Sequence, residues 1–122
     1  MAGTDPRHVV GANGEEAVAQ WYRAAGYDVV DRNWRVREGE LDLVARHESG
    51  TLVFCEVKTR RSNRFGLPVE AVTARKQQRL RQLAGQWLSA HRAHHGALRF
   101  DVASVVPDGR GGWVVSVLEH AF

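Results

Sequence analysis

The stretch that decides the fold is Glu40-Leu41-Asp42-Leu43-Val44-Ala45, followed by Leu52-Val53-Phe54-Cys55-Glu56-Val57-Lys58. Both segments are rich in aliphatic, aromatic and β-branched residues, which predicts two strands, and Ser49-Gly50 between them predicts a turn. Side chains alternate between the faces of a strand, so Glu40 and Asp42 share one face, as do Glu56 and Lys58. Folded as a hairpin, the two segments would bring carboxylates and an ammonium group to one point.

This acidic group has a chemical use, because two carboxylates can hold a hard divalent cation beside a phosphate. The alternative is a salt bridge on a half-exposed sheet. Leu52 and Phe54 share the face of Glu56, however, which is unusual for a surface that faces solvent. We therefore interpret the group as a functional site. Glu40 is either a third ligand or a charge at the strand edge, and we include it among the site residues.

Two helices and further strands are predicted around this hairpin. Apolar residues recur at helical spacing from Gly11 to Ala25, and Gly26 supplies a stop. Thr73 is typical of an N-cap, and a second apolar stripe runs from Leu80 to His91. The predicted strands are Tyr27–Arg35, Glu38–His47, Thr51–Arg60, Leu98–Val106 and Trp113–Leu118. The order αβββαββ indicates an α/β fold.

Length and composition limit the class of protein. The 122 residues predict one domain, 1–122, with residues 1–7 as a flexible tail. Hydrophobic content of 43% and charged content of 25% are typical of a globular domain. No apolar run approaches the ~20 residues of a membrane span, and we find no secretory signal. With Cys55 as its single cysteine, the chain forms no internal disulfide, so we expect a cytoplasmic location.

Basic residues are concentrated beside the acidic group. Eight Lys or Arg residues and one acid, Glu70, lie between Lys58 and Arg81. Such a block is either a solvated charged face or a surface for a phosphate backbone, and the neighbouring carboxylates favour nucleic acid. The predicted contacts are Arg60, Arg61 and Arg64 in a loop, and Lys76 and Gln77 at the N-terminal turn of the second helix, where the dipole favours an anion.

Lysine is rare in this chain. Only Lys58 and Lys76 among the 17 basic residues are lysines. A compact ammonium suits a position beside a metal-bound water better than a broad guanidinium does. Chance is the alternative explanation for a sample of two.

Short motifs are spread over the chain: Gly11-x-x-Gly14-Glu15, Gly26-Tyr27, Asn33-Trp34-Arg35, Gly39-Glu40-Leu41-Asp42-Leu43-Val44, Phe54-x-Glu56-Val57-Lys58-Thr59-Arg60, and a C-terminal part from Phe65-Gly66 through Lys76 to His120-Ala121-Phe122. Together they resemble the YraN family of bacterial proteins. The family is similar to the PD-(D/E)XK nuclease superfamily, especially to the archaeal type of Holliday-junction resolvase. The resemblance implies a three-layer, restriction-endonuclease-like fold, with a central mixed sheet of about five strands flanked by helices.

The implied roles are metal ligation by Asp42 and Glu56, a catalytic role for Lys58, and support from the helix acid Glu15. Leu41 stands where the superfamily's name places a proline, and this departure leaves the acids and the lysine in place. With Mg²⁺ or Mn²⁺ held by the two acids and the Val57 backbone carbonyl, the expected activity is phosphodiester hydrolysis in DNA, including branched or structured DNA.

Two other functions stay open. One is a nucleic-acid-binding module on a nuclease-like scaffold with little or no catalysis. The other is a cytosolic interaction protein, which would leave the acidic group unexplained. Resolvase-like enzymes act as symmetric dimers on the paired strands of a junction, so a homodimer is expected by analogy.

Overall fold

A computed structural model describes residues 7–61 and 72–122 of the protein. Its elements are β1 (Arg7–Val9), α1 (Gly14–Ala24), β2 (Asp28–Val36), β3 (Gly39–Arg46), β4 (Leu52–Thr59), α2 (Ala74–His91), β5 (Leu98–Pro107) and β6 (Trp113–Leu118). The predicted order αβββαββ is confirmed, and one short strand precedes it. Arg7, which we assigned to the tail, starts that strand, and residues 1–6 lie outside the described part.

The described strands form one sheet in the order β1-β6-β5-β4-β3-β2. β4 and β5 run parallel, and the other neighbouring strands of the described sheet are antiparallel. The parallel pair follows from α2, which carries the chain back between β4 and β5. The sheet is therefore mixed, as predicted, and β4 lies in its interior with the acidic residue Glu56.

A helix covers each face of the sheet, so the architecture has the three predicted layers. On one face α1 packs Val18, Trp21 and Tyr22 against residues that include Cys55 and Val105. The core under α2 contains Leu80, Leu83 and Trp87 with Phe54 and Phe100. Because β4 is covered on both faces, its first five residues are all buried, which accounts for its continuous apolar run.

The ends of both helices are fixed by side-chain caps. Asn13 accepts a hydrogen bond from the Glu16 amide at 2.8 Å, so α1 begins at Gly14 rather than at the predicted Gly11. Thr73 accepts a bond from the Lys76 amide at 3.2 Å, which confirms it as the N-cap of α2. Neither described helix is long and apolar enough to cross a membrane.

A buried carboxylate fastens α1 to β5. Asp101 is fully buried and accepts a hydrogen bond from the Tyr22 hydroxyl at 2.6 Å. Two nitrogens of Arg99 donate to the same carboxylate, each at 2.9 Å. A buried charge is tolerated when it is paired and hydrogen-bonded in this way. Asp101 therefore has a structural role.

Gly14 lies where α1 approaches the end of β4, and we predict that Gly14→Ala destabilises the fold. An added Cβ would lie 2.8 Å from Thr59 Oγ1 and 3.3 Å from Val105 Cγ1, so the helix or the strands must shift. The expected loss is roughly 1–3 kcal/mol of unfolding free energy, measured by urea denaturation. Gly85→Ala in α2 is the matched control, because no atom lies within 4 Å of its new Cβ. It should stabilise by about 0.5–1 kcal/mol. Equal effects of the two substitutions would contradict this packing.

Candidate active site

The backbone ladder between β3 and β4 ends beside the acidic residues. The paired residues run from Arg46 and Leu52 to Leu43 and Cys55, so Asp42 and Glu56 come next on their strands. There a side chain replaces the backbone acceptor, because Asp42 Oδ2 accepts the Val57 N–H at 2.8 Å. This bond satisfies a backbone donor in the sheet interior. It also fixes the Asp42 carboxylate within hydrogen-bond reach of Glu56.

Glu56 lies at the centre of the site and is only 6% exposed. Both lysines of the chain contact the same oxygen of its carboxylate. Lys58 Nζ is 3.4 Å from Glu56 Oε2, and Lys76 Nζ is 2.5 Å from it. Lys58 comes from β4 itself, whereas Lys76 comes from the first helical turn of α2. The two ammonium groups supply the positive charge that a buried carboxylate needs.

The two acids are electrostatically coupled. Burial first, and then the negative charges of Glu56 and Glu15, raise the pKa of the Asp42 carboxyl to about 7, against the opposing effect of the Val57 hydrogen bond. Burial lowers the pKa of the Lys76 ammonium, but its contact with Glu56 outweighs this effect and leaves the pKa above its usual value. The site therefore holds a charged Lys76 near an Asp42 carboxyl that keeps its proton to a higher pH than an ordinary aspartate does.

β3 changes face at Asp42. Leu41 packs in the core under α2, whereas Leu43 packs in the core under α1. Residues two apart share a face in a regular strand, so the alternation is broken between them. On β2 the residue opposite Asp42 is Asn33, whose φ of 51° lies in the left-handed region. The expectation that Glu40 and Asp42 share a face rests on regular alternation, which does not hold here.

Two further predicted acids surround this group. Glu40 accepts a hydrogen bond from the Nε of its cross-strand neighbour Arg35 at 2.5 Å. Glu15, half-buried in the first turn of α1, lies within electrostatic range of Asp42. Glu15 thus contributes negative potential to the site, while the charge of Glu40 is paired. Catalytic roles for both residues stay predictions.

The predicted nucleic-acid contacts fall into different environments. The Arg60 amide donates to the Val105 carbonyl at 2.8 Å, and Arg61 is exposed just beyond β4. Arg64 lies outside the described residues. On α2, Gln77 Nε2 donates to the Val72 carbonyl at 3.2 Å, and Lys76 is held by Glu56. Sequence reasoning missed this contact of Lys76, although the rarity of lysine drew attention to both members of the pair.

The donor set suits a magnesium-like ion. Within residues 7–61 and 72–122, no cluster of three or more His, Cys, Asp or Glu side chains could hold a metal. Mg²⁺ commonly binds through one or two carboxylates and keeps several waters, so Asp42 and Glu56 are sufficient. Their mutual repulsion, which helps to raise the pKa of Asp42, would be relieved by a divalent cation. The residues therefore fit Mg²⁺ or Mn²⁺, and ligation by the Val57 carbonyl stays a prediction.

Helices on both faces of a mixed sheet, with Asp42, Glu56 and Lys58 on its inner strands, define a three-layer, nuclease-like α/β domain. A family model described as "Uncharacterised protein family UPF0102" matches residues 14–105, and the chain belongs to this family. This match confirms the resemblance to YraN proteins. The matched range contains every predicted site residue from Glu15 to Gln77.

Relatives with the same family name cover nearly the whole chain. The UPF0102 protein of Beutenbergia cavernae is 53% identical over 100 residues, which are 82% of this chain and 84% of that relative. The UPF0102 protein of Acidothermus cellulolyticus is 47% identical over 133 residues and covers 100% of both chains. A UPF0102 protein of Symbiobacterium thermophilum is 46% identical over 113 residues, 93% of this chain and 95% of its own.

The raised pKa of Asp42 predicts a pH-dependent stability in metal-free buffer. The folded state keeps this proton up to about pH 7, whereas an unfolded carboxyl with a pKa near 3.8 has already lost it. Unfolding free energy therefore falls between about pH 4 and pH 7 and does not recover above that range. Asp42→Asn removes the titration and keeps an acceptor for the Val57 amide. Relative to wild type, the variant should gain roughly 1–3 kcal/mol between pH 4 and pH 8, measured by urea denaturation.

Asp28→Asn, which removes an exposed carboxylate from β2, is the control for the loss of one negative charge. Parallel pH curves for the wild type and Asp42→Asn would contradict the raised pKa.

Proposed function

We propose that the protein is a divalent-cation-dependent endonuclease that hydrolyses phosphodiester bonds in DNA, including branched or structured DNA. The observation that carries this proposal is the buried Glu56 carboxylate, set beside Asp42 and in contact with Lys58. Strongly perturbed, closely grouped ionisable residues are typical of functional sites. Asp42 satisfies a backbone donor, but its repulsion with the neighbouring Glu56 opposes folding, so stability alone does not explain the pair of acids.

Asp42 and Glu56 would hold Mg²⁺ or Mn²⁺, and the bound ion would polarise a phosphate oxygen and lower the pKa of an attacking water. Hydrolysis forms a bond from the water oxygen to phosphorus and breaks one from phosphorus to a sugar oxygen. Lys58 has three N–H donors, which suit it to orient the water and to stabilise negative charge on the phosphate. Proton abstraction by Lys58 is the second role we consider.

Nucleic acid is the proposed partner because basic residues follow the site directly in the sequence. Arg60 and Arg61 follow two and three residues after Lys58, and Arg61 is exposed. Phosphate contacts by such residues supply affinity without sequence readout, and they weaken with salt. A symmetric dimer, with one site for each of two strands, belongs to the same proposal.

A second candidate function is a nucleic-acid-binding module with little or no catalysis. The observation that favours it is the contact of two ammonium groups with Glu56. A carboxylate with two internal counter-ions does not require a metal to be stable in the sheet. In the nuclease, a divalent cation would replace part of the positive charge that the two lysines supply to Glu56. In the binding module, the lysines alone would neutralise Glu56.

Cleavage assays separate the candidates. Purified protein would be incubated with duplex, single-stranded and four-way-junction DNA, with and without Mg²⁺ or Mn²⁺. We expect metal-dependent products that fall to background in Asp42→Ala and Glu56→Ala, and by about 100-fold or more in Lys58→Met. Glu48→Ala, which removes an exposed acid from the turn of the same hairpin, should retain activity. Salt-sensitive binding without products would support the binding module, and the absence of both would exclude each candidate.

Lys76 and a divalent cation would compete for the same carboxylate, because the ammonium lies 2.5 Å from Glu56 Oε2. A doubly charged ion at Glu56 would repel Lys76, so the two occupants oppose each other. Lys76→Met should therefore bind Mn²⁺ more tightly than wild type, by roughly 3–10-fold, in titrations followed by the electron paramagnetic resonance signal of free Mn²⁺.

Arg75→Met removes the same charge one residue earlier on α2, from a side chain that is exposed. It controls for the general change in potential and should leave the Mn²⁺ affinity close to that of wild type. Unchanged or weaker binding by Lys76→Met would show that Lys76 does not compete with the ion.

A further inference from the structure

The outer face of α2 carries polar side chains that the site does not use. Arg75, Gln78, Arg79 and Gln82 are exposed and line a shallow hollow on the surface. Their spacing of i, i+3, i+4 and i+7 places them on one side of the helix. Within the part of the chain that the structure describes, none of these four side chains forms a hydrogen bond or an ion pair.

The charge of α2 is one-sided. Its 18 residues include four Lys or Arg and no Asp or Glu. Lys76 is neutralised by Glu56, and the guanidinium of Arg81 lies over the Phe100 ring at 4.9 Å. Among the described residues, Arg75 and Arg79 are thus cations of α2 with neither an ion pair nor a ring contact. Like charges four residues apart destabilise a helix slightly, so this pair does not serve helix stability and is complementary to a polyanion.

Along α2, the hollow begins one residue before Lys76. Arg75 and Arg79 lie on either side of Lys76 in the sequence, so the hollow begins within one helical turn of the residue that contacts Glu56. The stem of Arg79 rests over the β2–β3 turn, since its Cδ is 3.7 Å from where a Cβ on Gly39 would lie. This packing limits where the Arg79 guanidinium can point.

We propose that this hollow binds phosphates of the DNA strand next to the position of cleavage, a role that rests on the proposed nuclease function. Arg75 and Arg79 bind phosphate oxygens, and the amides of Gln78 and Gln82 donate further hydrogen bonds to the backbone. Seven residues of helix extend about 10 Å, which matches about three nucleotides of one strand at ~3.4 Å each. The surface differs from the predicted contacts of Lys76 and Gln77, whose side chains are engaged within the protein.

The test is the salt dependence of DNA binding, measured by fluorescence anisotropy in EDTA so that no strand is cut. Each phosphate contact contributes about 0.7–0.9 to the slope of log K against log salt concentration. The double variant Arg75→Gln with Arg79→Gln should lower the magnitude of the slope by about 1.4–1.8 and weaken binding at least about tenfold at low salt. Replacement of both residues by lysine should retain most of the slope.

A matched control removes two other exposed arginines, Arg92 at the C-terminal end of α2 and Arg110 between β5 and β6. Their replacement by glutamine changes the net charge equally and should leave the slope unchanged. A wild-type slope in the Arg75 and Arg79 variant, an equal fall in the control, or no DNA binding by the wild type would overturn the proposal. Cleavage is measured in a separate assay. If the variant changes the salt slope but the wild-type protein does not cleave DNA, the proposed nuclease function is wrong and the proposed binding surface is retained.

Discussion

The hydrogen bond from the Val57 amide to the Asp42 carboxylate, 2.8 Å long, is the contact on which the site depends. It lies where the β3–β4 ladder ends: Asp42 is one residue before Leu43, and Val57 is two residues after that residue's partner, Cys55. An unpaired backbone donor at this depth would destabilise the fold by about 1–3 kcal/mol. The carboxylate therefore completes the sheet and is held beside Glu56 at the same time. The Asp42 side chain thus has two roles: it pairs a backbone amide of the sheet, and it lies beside Glu56 in the candidate site.

The charges around Glu56 then determine the state of the site. Lys58 and Lys76 reach its carboxylate from a strand and from a helix, so α2 is tied to the centre of the sheet by an ion pair. The pKa of Asp42 is raised, first by burial and then by the negative charges of Glu56 and Glu15. The negative charge of Glu56 is thus offset within the fold by two ammonium groups. A divalent cation or a phosphate would change these contacts. The cation would replace an ammonium group beside Glu56, and the phosphate would replace the carboxylate beside an ammonium group.

The sequence predicted those features that depend on local pattern. Alternating and continuous apolar runs indicated the strands, Thr73 indicated the start of α2, and the hairpin brought Asp42 next to Glu56. Other features depend on tertiary contacts that no local pattern encodes. The three residues of β1 form a strand only because they pair with β6. The change of face in β3 has no local sequence signal, whereas the left-handed backbone at Asn33 is one that asparagine adopts more readily than most residues. Lys76 meets Glu56 only because α2 crosses this part of the sheet.

The most direct test of the central claim is anomalous X-ray diffraction from crystals of the protein soaked in Mn²⁺. The account predicts an anomalous peak within bonding distance of both the Asp42 and Glu56 carboxylates, with the Lys76 ammonium moved away from Glu56. A Mn²⁺ peak elsewhere, or full Lys76–Glu56 contact and no peak at a Mn²⁺ concentration that supports cleavage, would contradict the account.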